Sequence, residues 1–533
     1  MGRSRSISLI LAVLFIVGGS PLVVVSITTA QGTPGASPTA GSSTFAAAAC
    51  PYELPPNLVD GENVACGYLE VPEEYVDPEG ATLRLPVAVL ASSAEEPASA
   101  PLVVLTGGPG QGASAILPLF AEESPATLLP LLERQDVILF DQRGTGFAEP
   151  ALTCPLDLTE AATPEATPGP ETDPLAIYTE CADQLRAEGV NLEAFTTAAS
   201  AADVDALRRA LGYEQVDLYG ISYGTRLALT VMRDFPDTVR SAALASPLPL
   251  EVDLFAGQVI AFDQALRLAL EGCAADLDCD ATNPGLADSF AQAVVRLGAA
   301  PLLVPVEDPV SGETVEVPVD DSLFLQAVYV AVFAGQASTV PPLISSVAAG
   351  DPTVLAEVLP VVLQFGVGIS TGLLFAVNCQ DEAPFSSPEQ VRQQVAEADV
   401  RPELQSGAFL GVQGLGAFEI CEAWGLEPSG PEASEPVTSD IPTLIIAGEF
   451  DPITPPAYGA RIEENLSAGT LVVLPGLGHD PVSFGGPCAL TIVLEFLSEP
   501  TSEPDTACTV QLEADFSPEE EAASPEASPA AMR

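Results

Sequence analysis

The amino-acid sequence predicts an α/β protein in which a mostly parallel sheet carries helices on both faces. Short apolar runs ending in glycine alternate with capped, periodic segments, and this alternation indicates strands joined by helices. It stops in the middle of the chain and then resumes. With 533 residues, 47% of them hydrophobic, the chain can bury a large core. We therefore expect one sheet interrupted by a long insertion.

The first part of the predicted core covers residues 49–249. Its apolar runs predict strands, and its segments with a polar cap or a terminal glycine predict helices. The strands are expected at 83–92, 101–108, 136–144, 215–222 and 239–247, and the helices at 200–212 and 223–235.

The insertion covers residues 250–438, which are rich in Ala, Leu and Val and predict a mostly helical cap. We expect this cap to lie over the sheet edge where the loops emerge. The core then resumes over residues 439–512, with strands at 442–451 and 469–476 and helices at 455–467 and 487–499.

Residues 1–30 predict an exported protein. Arg3 and Arg5 precede an apolar run, and Thr28-Thr29-Ala30 resembles a signal-peptide cleavage site. The apolar run is also long enough for an uncleaved membrane anchor, so both readings stay open. Either one predicts a secreted or extracytoplasmic protein, with the bacterial cell surface as one location.

Small and acidic residues dominate three further segments. Residues 31–48 predict a disordered linker, residues 513–533 an acidic disordered tail, and residues 159–174 a surface loop. Ten cysteines fit an oxidising compartment, and none forms a C-x-x-C pair. Local spacing favours the pairs Cys50–Cys66, Cys154–Cys181, Cys273–Cys279, Cys379–Cys421 and Cys488–Cys508.

The charge composition excludes several functions. The formal net charge is −57, which repels nucleic acid and anionic membrane surfaces. Every basic residue other than the one histidine is arginine. Without lysine there is no P-loop, no pyridoxal-phosphate Schiff base and no Ser-Lys pair. We expect no metal and no organic cofactor, no nucleic-acid partner, and a monomer that meets a membrane only through an uncleaved N-terminus.

The motif G-x-S-x-G occurs at Gly220 to Gly224, where a predicted strand ends and a predicted helix begins. This context is typical of a nucleophile elbow, with Ser222 as the exposed nucleophile. Glycines alone would also fit an ordinary tight turn. The serine needs a base, and His479 is the only histidine of the chain.

The base needs an acid to hold its tautomer. Asp451 follows a predicted strand, with Glu449 as the alternative two residues earlier. The chain order Ser222, Asp451, His479 is that of the α/β-hydrolase fold. Two backbone N–H groups should bind the oxyanion: that of Tyr223, and that of Gly107 or its neighbour Gly108 in the glycine-rich loop after an early strand.

Together these motifs resemble the proline-iminopeptidase group of α/β-hydrolase serine peptidases, and most closely its secreted tripeptidyl-aminopeptidase-like branch. The resemblance runs from about residue 50 to 508. It rests on GGPG (107–110), DQRGTG (141–146), GISYG (220–224), GEFDPITP (448–455) and GLGH (476–479), and also on CGYLEVPEEY (66–75), NCQDE (378–382) and CEAW (421–424).

The resemblance implies the same triad and oxyanion donors, and the removal of short peptides or residues from free N-termini. One departure is Thr106, where many iminopeptidases have histidine before GGPG. DQRGTG is expected to brace the oxyanion loop, without a catalytic role for Arg143. A substrate ammonium needs a carboxylate, and Asp381, Glu382 and Glu422 would lie close together if Cys379 and Cys421 are bonded.

The sequence therefore predicts a secreted serine hydrolase that acts on peptides through an acyl-enzyme on Ser222. An esterase or lipase-like hydrolase of the same fold is the first alternative, because a fold does not determine its substrate. A non-catalytic surface binding protein is the second. Since His479 must be neutral to accept a proton, acidification should reduce activity.

Overall fold

The computed structural model describes residues 43–122, 124, 128–154, 176–307, 314–366, 368–405, 414–514 and 516. The predicted signal peptide or anchor at 1–30, the loop at 159–174 and most of the C-terminal tail lie outside the described residues. Within them, the predicted α/β fold is confirmed.

Nine of the strands in the described chain form one sheet in the order β1-β2-β3-β5-β4-β6-β7-β10-β11. The first three pair antiparallel with their neighbours, and the six from β5 to β11 are parallel. The strands are β1 Thr44–Ala47, β2 Val64–Pro72, β3 Thr82–Leu90, β4 Leu102–Leu105, β5 Val137–Phe140, β6 Val216–Ile221, β7 Val239–Ala245, β8 Leu302–Glu307, β9 Thr314–Val319, β10 Thr443–Gly448 and β11 Gly469–Leu474.

Helices follow most of the parallel strands and fill the insertion. The α-helices are α1 Ala176–Ala187, α2 Thr197–Leu211, α3 Tyr223–Asp234, α4 Leu254–Ala275, α5 Leu277–Thr282, α6 Leu286–Ala299, α7 Asp321–Phe333, α8 Val340–Ala349, α9 Thr353–Gln364, α10 Thr371–Val377, α11 Pro388–Glu397, α12 Gly416–Trp424, α13 Pro456–Glu463, α14 Pro481–Phe484 and α15 Gly486–Ser498. All seven predicted strands and all four predicted helices are present.

The central strands are buried on both faces, as the continuous apolar runs predict. Along β4, Val103 and Leu105 join one hydrophobic cluster, whereas Leu102 and Val104 join another on the opposite face. This alternation follows from the two-residue repeat of a strand. Helices therefore cover both faces of the sheet.

The predicted cap of 250–438 is not uniform in the structure. Helices α4 to α9 share a separate hydrophobic cluster with residues of α11, and the antiparallel hairpin β8–β9, which the sequence did not reveal, packs there too. In contrast, Phe375 of α10 and Trp424 of α12 pack against the helices of the sheet. Among the described residues, no single helix is long and apolar enough to span a bilayer, although the bent pair α8 and α9 meets that criterion jointly.

The ends of the two predicted disordered segments differ from expectation. Thr44–Ala47 forms the edge strand β1, because its backbone pairs with β2. Ala514 and Phe516, at the start of the predicted tail, pack against the hydrophobic cluster of the insertion. All five predicted disulfides are bonded.

Candidate active site

Ser222 stands in the sharp turn between β6 and α3. Its backbone has φ 56° and ψ −122°, a conformation that a non-glycine residue adopts only when its surroundings enforce it. The main chain enforces it here, since the Ser222 N–H donates to the carbonyl of Ala245 at 2.9 Å. Gly224 must lack a side chain, because a Cβ there would clash with the Leu105 carbonyl. The G-x-S-x-G motif therefore forms the predicted elbow, with the serine side chain partly exposed.

His479 and Asp451 form a buried pair. The imidazole Nδ1 lies 2.8 Å from Asp451 Oδ2, and only 5% of the histidine is exposed. Asp451 also accepts the N–H groups of Ile453 and Thr454 at 2.9 and 2.8 Å. Glu449, the alternative acid, instead accepts the N–H of Gly476 at 2.9 Å. Asp451 is therefore the carboxylate that faces the histidine.

The electrostatics of this pair keep the Asp451 carboxylate ionised. Burial by itself would raise its pKa, but the adjacent imidazole and the two backbone N–H groups outweigh burial and hold the pKa below its usual value. An ionised carboxylate at Nδ1 favours the tautomer with the proton on Nδ1. That tautomer leaves Nε2 able to accept a proton.

The three residues follow strands that end at the same edge of the sheet. Ser222 follows β6, Asp451 follows β10 and His479 follows β11, and these strands are parallel members of the same sheet. Since the carboxyl ends of parallel strands share an edge, the fold assembles residues that lie 257 positions apart in the chain.

Ser246 is a member of this site that sequence reasoning missed. It follows β7, the strand between β6 and β10, and has φ 56°. Its hydroxyl donates to Asp451 Oδ2 at 2.8 Å and accepts the N–H of Asp480 at 2.8 Å. Thr454 Oγ1 also donates to Asp451 Oδ2 at 2.8 Å. Only the strand order β6-β7-β10 reveals the role of Ser246, so no local motif could have indicated it.

The predicted oxyanion loop lies beside the elbow. A Cβ placed on Gly107 would be 3.1 Å from the Ser222 Cβ and 3.7 Å from its Oγ. The Gly107 N–H donates to Gln111 Oε1 at 3.3 Å, a long bond for such a pair. The alternative, Gly108, has φ 109° and would place a Cβ against the amide of Gly110. Tyr223 begins α3, so its N–H has no acceptor within the helix.

The DQRGTG segment braces this loop through hydrogen bonds. Asp141 accepts the N–H groups of Ala113 and Phe147, both at 2.7 Å, and burial raises its pKa to about 6. Gln142 donates to the carbonyl of Thr106 at 3.0 Å. Arg143 is fully buried and ion-paired with Asp203 at 2.7 Å. These contacts describe a structural segment, as the sequence predicts.

The three predicted ammonium-binding carboxylates do not converge. Asp381 is buried and accepts the Thr197 N–H at 2.8 Å, Glu382 is buried and pairs with Arg226 at 2.9 Å, and Glu422 is exposed. The Cys379–Cys421 bond brings the segments together, but Glu422 stays exposed whereas Asp381 and Glu382, which act on each other electrostatically, turn toward α2 and α3.

Glu382 nevertheless lines a cavity of about 370 Å³. Glu251, Asp253 and Arg461 also line it, so its wall contains three carboxylates and one guanidinium. Pro455, next to the Thr454 that touches Asp451, forms another part of the wall. Burial raises the pKa of Glu382 to about 7, although Arg226 opposes that shift.

The sheet order and the elbow define an α/β-hydrolase, and comparisons with known proteins agree. Residues 100–301 match the model of the alpha/beta hydrolase fold, and residues 408–508 match the model of TAP-like proteins. The chain therefore has the α/β-hydrolase fold, and its C-terminal part is similar to the TAP-like proteins.

Three named proteins illustrate what this chain is similar to. Serine protease Hip1 of Mycobacterium tuberculosis is 26% identical over 470 residues, which cover 83% of this chain and 86% of that protein. Tripeptidyl aminopeptidase of Streptomyces lividans is 31% identical over 190 residues, 34% of this chain and 35% of that one. Among solved structures, proline iminopeptidase of Mycobacterium smegmatis is 17% identical, with a TM-score of 0.35 over 81% of this chain and 98% of that chain.

Proposed function

We propose that this protein is a serine peptidase that releases short peptides or single residues from free N-termini through an acyl-enzyme on Ser222. The observation that carries the proposal is the buried Asp451–His479 pair at the sheet edge where the elbow presents Ser222. The names of the relatives, a serine protease and a tripeptidyl aminopeptidase, favour peptides as substrates.

In the proposed reaction, Nε2 of His479 accepts the Ser222 hydroxyl proton while Oγ attacks the scissile carbonyl carbon. The carbonyl oxygen becomes an oxyanion, which the N–H groups of Gly107 and Tyr223 bind. Because the Gly107 N–H now makes only a 3.3 Å bond to Gln111, exchanging that partner for an oxyanion costs little. His479 then protonates the leaving amine, and water hydrolyses the acyl-enzyme by the same steps.

The free amino group of such a substrate needs an anionic site. Of the three carboxylates predicted for this role, Glu382 is the one that reaches a cavity, where Asp253 and Glu251 add negative charge. We propose Glu382 as the ammonium-binding residue. Its partner Arg226 already donates to the carbonyls of Leu250 and Ala433, at 3.2 and 2.7 Å, so this guanidinium does not depend on Glu382 alone.

Two variants test this site. Glu382→Gln should raise KM for peptides with a free N-terminus about tenfold while leaving N-acetylated substrates unaffected, which corresponds to losing one charge-assisted hydrogen bond. Glu422→Gln removes an exposed carboxylate of the same type and serves as the matched control. An equal change for free and blocked substrates would place the ammonium elsewhere.

The proposal extends to the location of the protein and to its partners. Five disulfides favour an extracytoplasmic compartment, because thiols stay reduced in the cytosol. We propose a signal peptide or anchor at residues 1–30, a peptide as the partner, no nucleic-acid partner and a monomeric state.

A fluorophosphonate probe and a substrate panel test the central proposal. The wild type should be labelled, Ser222→Ala should not, and Ser483→Ala, which removes a buried hydroxyl four residues after His479 in the chain, should still be labelled. The panel compares free-amino peptide anilides, their N-blocked forms and p-nitrophenyl esters. Hydrolysis of esters alone would favour the esterase alternative, and absence of labelling would leave only a non-catalytic role.

A further inference from the structure

The insertion touches His479 directly through the last residue of α7. The Phe333 ring lies against the imidazole, with centroids 4.6 Å apart and planes inclined by 33°. The Phe333 carbonyl also accepts the His479 N–H at 2.8 Å. One residue of the insertion therefore contacts both the side chain and the main chain of the histidine.

The residue before the histidine packs between the sheet and the insertion. A Cβ on Gly478 would lie 2.6 Å from the Gly335 nitrogen and 2.6 Å from the Val332 carbonyl oxygen, too close for any side chain. On the sheet side, Gly448 at the end of β10 approaches Gly478 so closely that a Cβ there would clash with its carbonyl. Contacts with the insertion on one side and the sheet on the other therefore fix the backbone of the loop that carries His479.

Phe333 is itself held by other rings of the insertion. Phe365 meets it edge-on, with centroids 5.0 Å apart and planes at 83°, and Tyr329 lies 6.2 Å away, one turn earlier on α7. Tyr329 and Phe365 also contact each other at 6.0 Å. Because these rings support one another, the Phe333 ring offers the imidazole a firm surface.

The contact with Asp451 alone does not fix the orientation of the imidazole ring. The carboxylate holds Nδ1, but the ring can still rock about that contact, and rocking moves Nε2 at the opposite side of the ring. A flat ring packed on one face restricts this motion. Displacing a reacting group by about 1 Å can cost about 100-fold in rate. The contact between the Phe333 ring and the imidazole therefore limits the motion to which the proposed proton transfer is most sensitive.

We propose that Phe333 is a positioning residue, which keeps the plane of the His479 imidazole aligned for proton transfer from Ser222. This inference rests on the proposed function of His479 as the base. It assigns part of the catalytic geometry to the insertion. Phe333 needs no contact with the substrate to act in this way.

The experiment compares Phe333→Leu and Phe333→Tyr with a matched control, Phe418→Leu. Phe418 is another phenylalanine of the insertion, whose ring pairs with Phe255 at 4.7 Å. Steady-state kinetics gives kcat and KM for a free-amino peptide anilide. Because the chain has one histidine, labelling histidine with carbon-13 at Cε1 alone gives one imidazole NMR signal, which reports the ring current of Phe333. Phe333→Met replaces the leucine variant if that variant does not fold.

We expect Phe333→Leu to lower kcat about 10- to 100-fold with KM changed less than about twofold, and to move the imidazole signal. Phe333→Tyr should retain most of the wild-type kcat. Phe418→Leu should change neither kcat nor the imidazole signal. A kcat for Phe333→Leu equal to that of Phe418→Leu, or an unmoved imidazole signal, would overturn the proposal. If the wild type lacks activity, the proposed function fails separately, and an unmoved signal still overturns the ring contact.

Discussion

The carboxyl edge of the sheet and the insertion contribute to this site in different ways. Ser222, Asp451 and His479 each lie in a loop that follows a strand, so the sheet order brings these loops to one edge. Phe333 and Glu382 belong to the insertion and reach the site through packing and through an ion pair with α3. The edge carries the groups that react, whereas the insertion orients them and supplies the cavity. Variants at the two places should therefore lose different properties.

The largest effect is expected from the edge. His479→Gln should lower kcat at least about 10³-fold, because the chain has no second histidine to act as base. The thermal unfolding midpoint should change little, since glutamine fills similar space. Kinetics and calorimetry on the same preparation check both. Retained turnover would show that the edge does not carry the chemistry.

A large loss of stability is expected where the two regions meet. Arg226→Met removes the partner of the buried Glu382 and the donor to the carbonyls of Leu250 and Ala433, and each buried polar group left unpaired costs about 1–3 kcal/mol in the free energy of unfolding. Denaturant unfolding measures this cost. The double variant Arg226→Met/Glu382→Gln should recover part of this loss of unfolding free energy. If the losses of the two single variants simply add in the double variant, the pair does not couple the core to the insertion.

The pH dependence of stability should report the same pair. The pKa of Glu382 is raised to about 7 in the folded protein, so the folded state holds this proton more tightly than the unfolded state does. Its stabilising contribution, at most about 3 kcal/mol, is present below its ordinary value and is lost as the pH rises through about 7. Unfolding free energies between pH 5 and 8 should fall less steeply for Glu382→Gln. Parallel curves for the two proteins would contradict the raised pKa.

The smallest effect is expected from the supporting hydroxyl at the edge. Ser246→Ala removes one hydrogen bond to Asp451 while Thr454 and two backbone N–H groups remain. We expect kcat to fall about tenfold, the value of one hydrogen bond to a charged group. Thr454→Val removes the other hydroxyl and provides the comparison. A loss of kcat as large as that of His479→Gln would indicate that Ser246 takes part in the reaction itself.

Much of the site at the carboxyl edge of the sheet could be predicted, because the sequence patterns that indicate it are local. The elbow needs two glycines around Ser222, the strands are short apolar runs, and each disulfide joins cysteines that are neighbours among the cysteines of the chain. The hairpin β8–β9 escaped prediction because each of its strands contains a proline, Pro305 or Pro318, and because it lies within a mostly helical segment. Strand β1 escaped because its small residues resemble a linker and gain order only by pairing with β2.

The sequence by itself determined the fold class, the elbow, the one available base and the order of the three residues, since each depends on residue type and local spacing. Only the tertiary structure decided that Asp451, not Glu449, faces His479, and that Ser246 and Phe333 support the pair. It also separated the exposed Glu422 from the buried Asp381 and Glu382, which the sequence grouped together. The physical reason is that the direction of a side chain depends on strand order and on packing between distant segments. The spacing of residues along the chain determines neither of these.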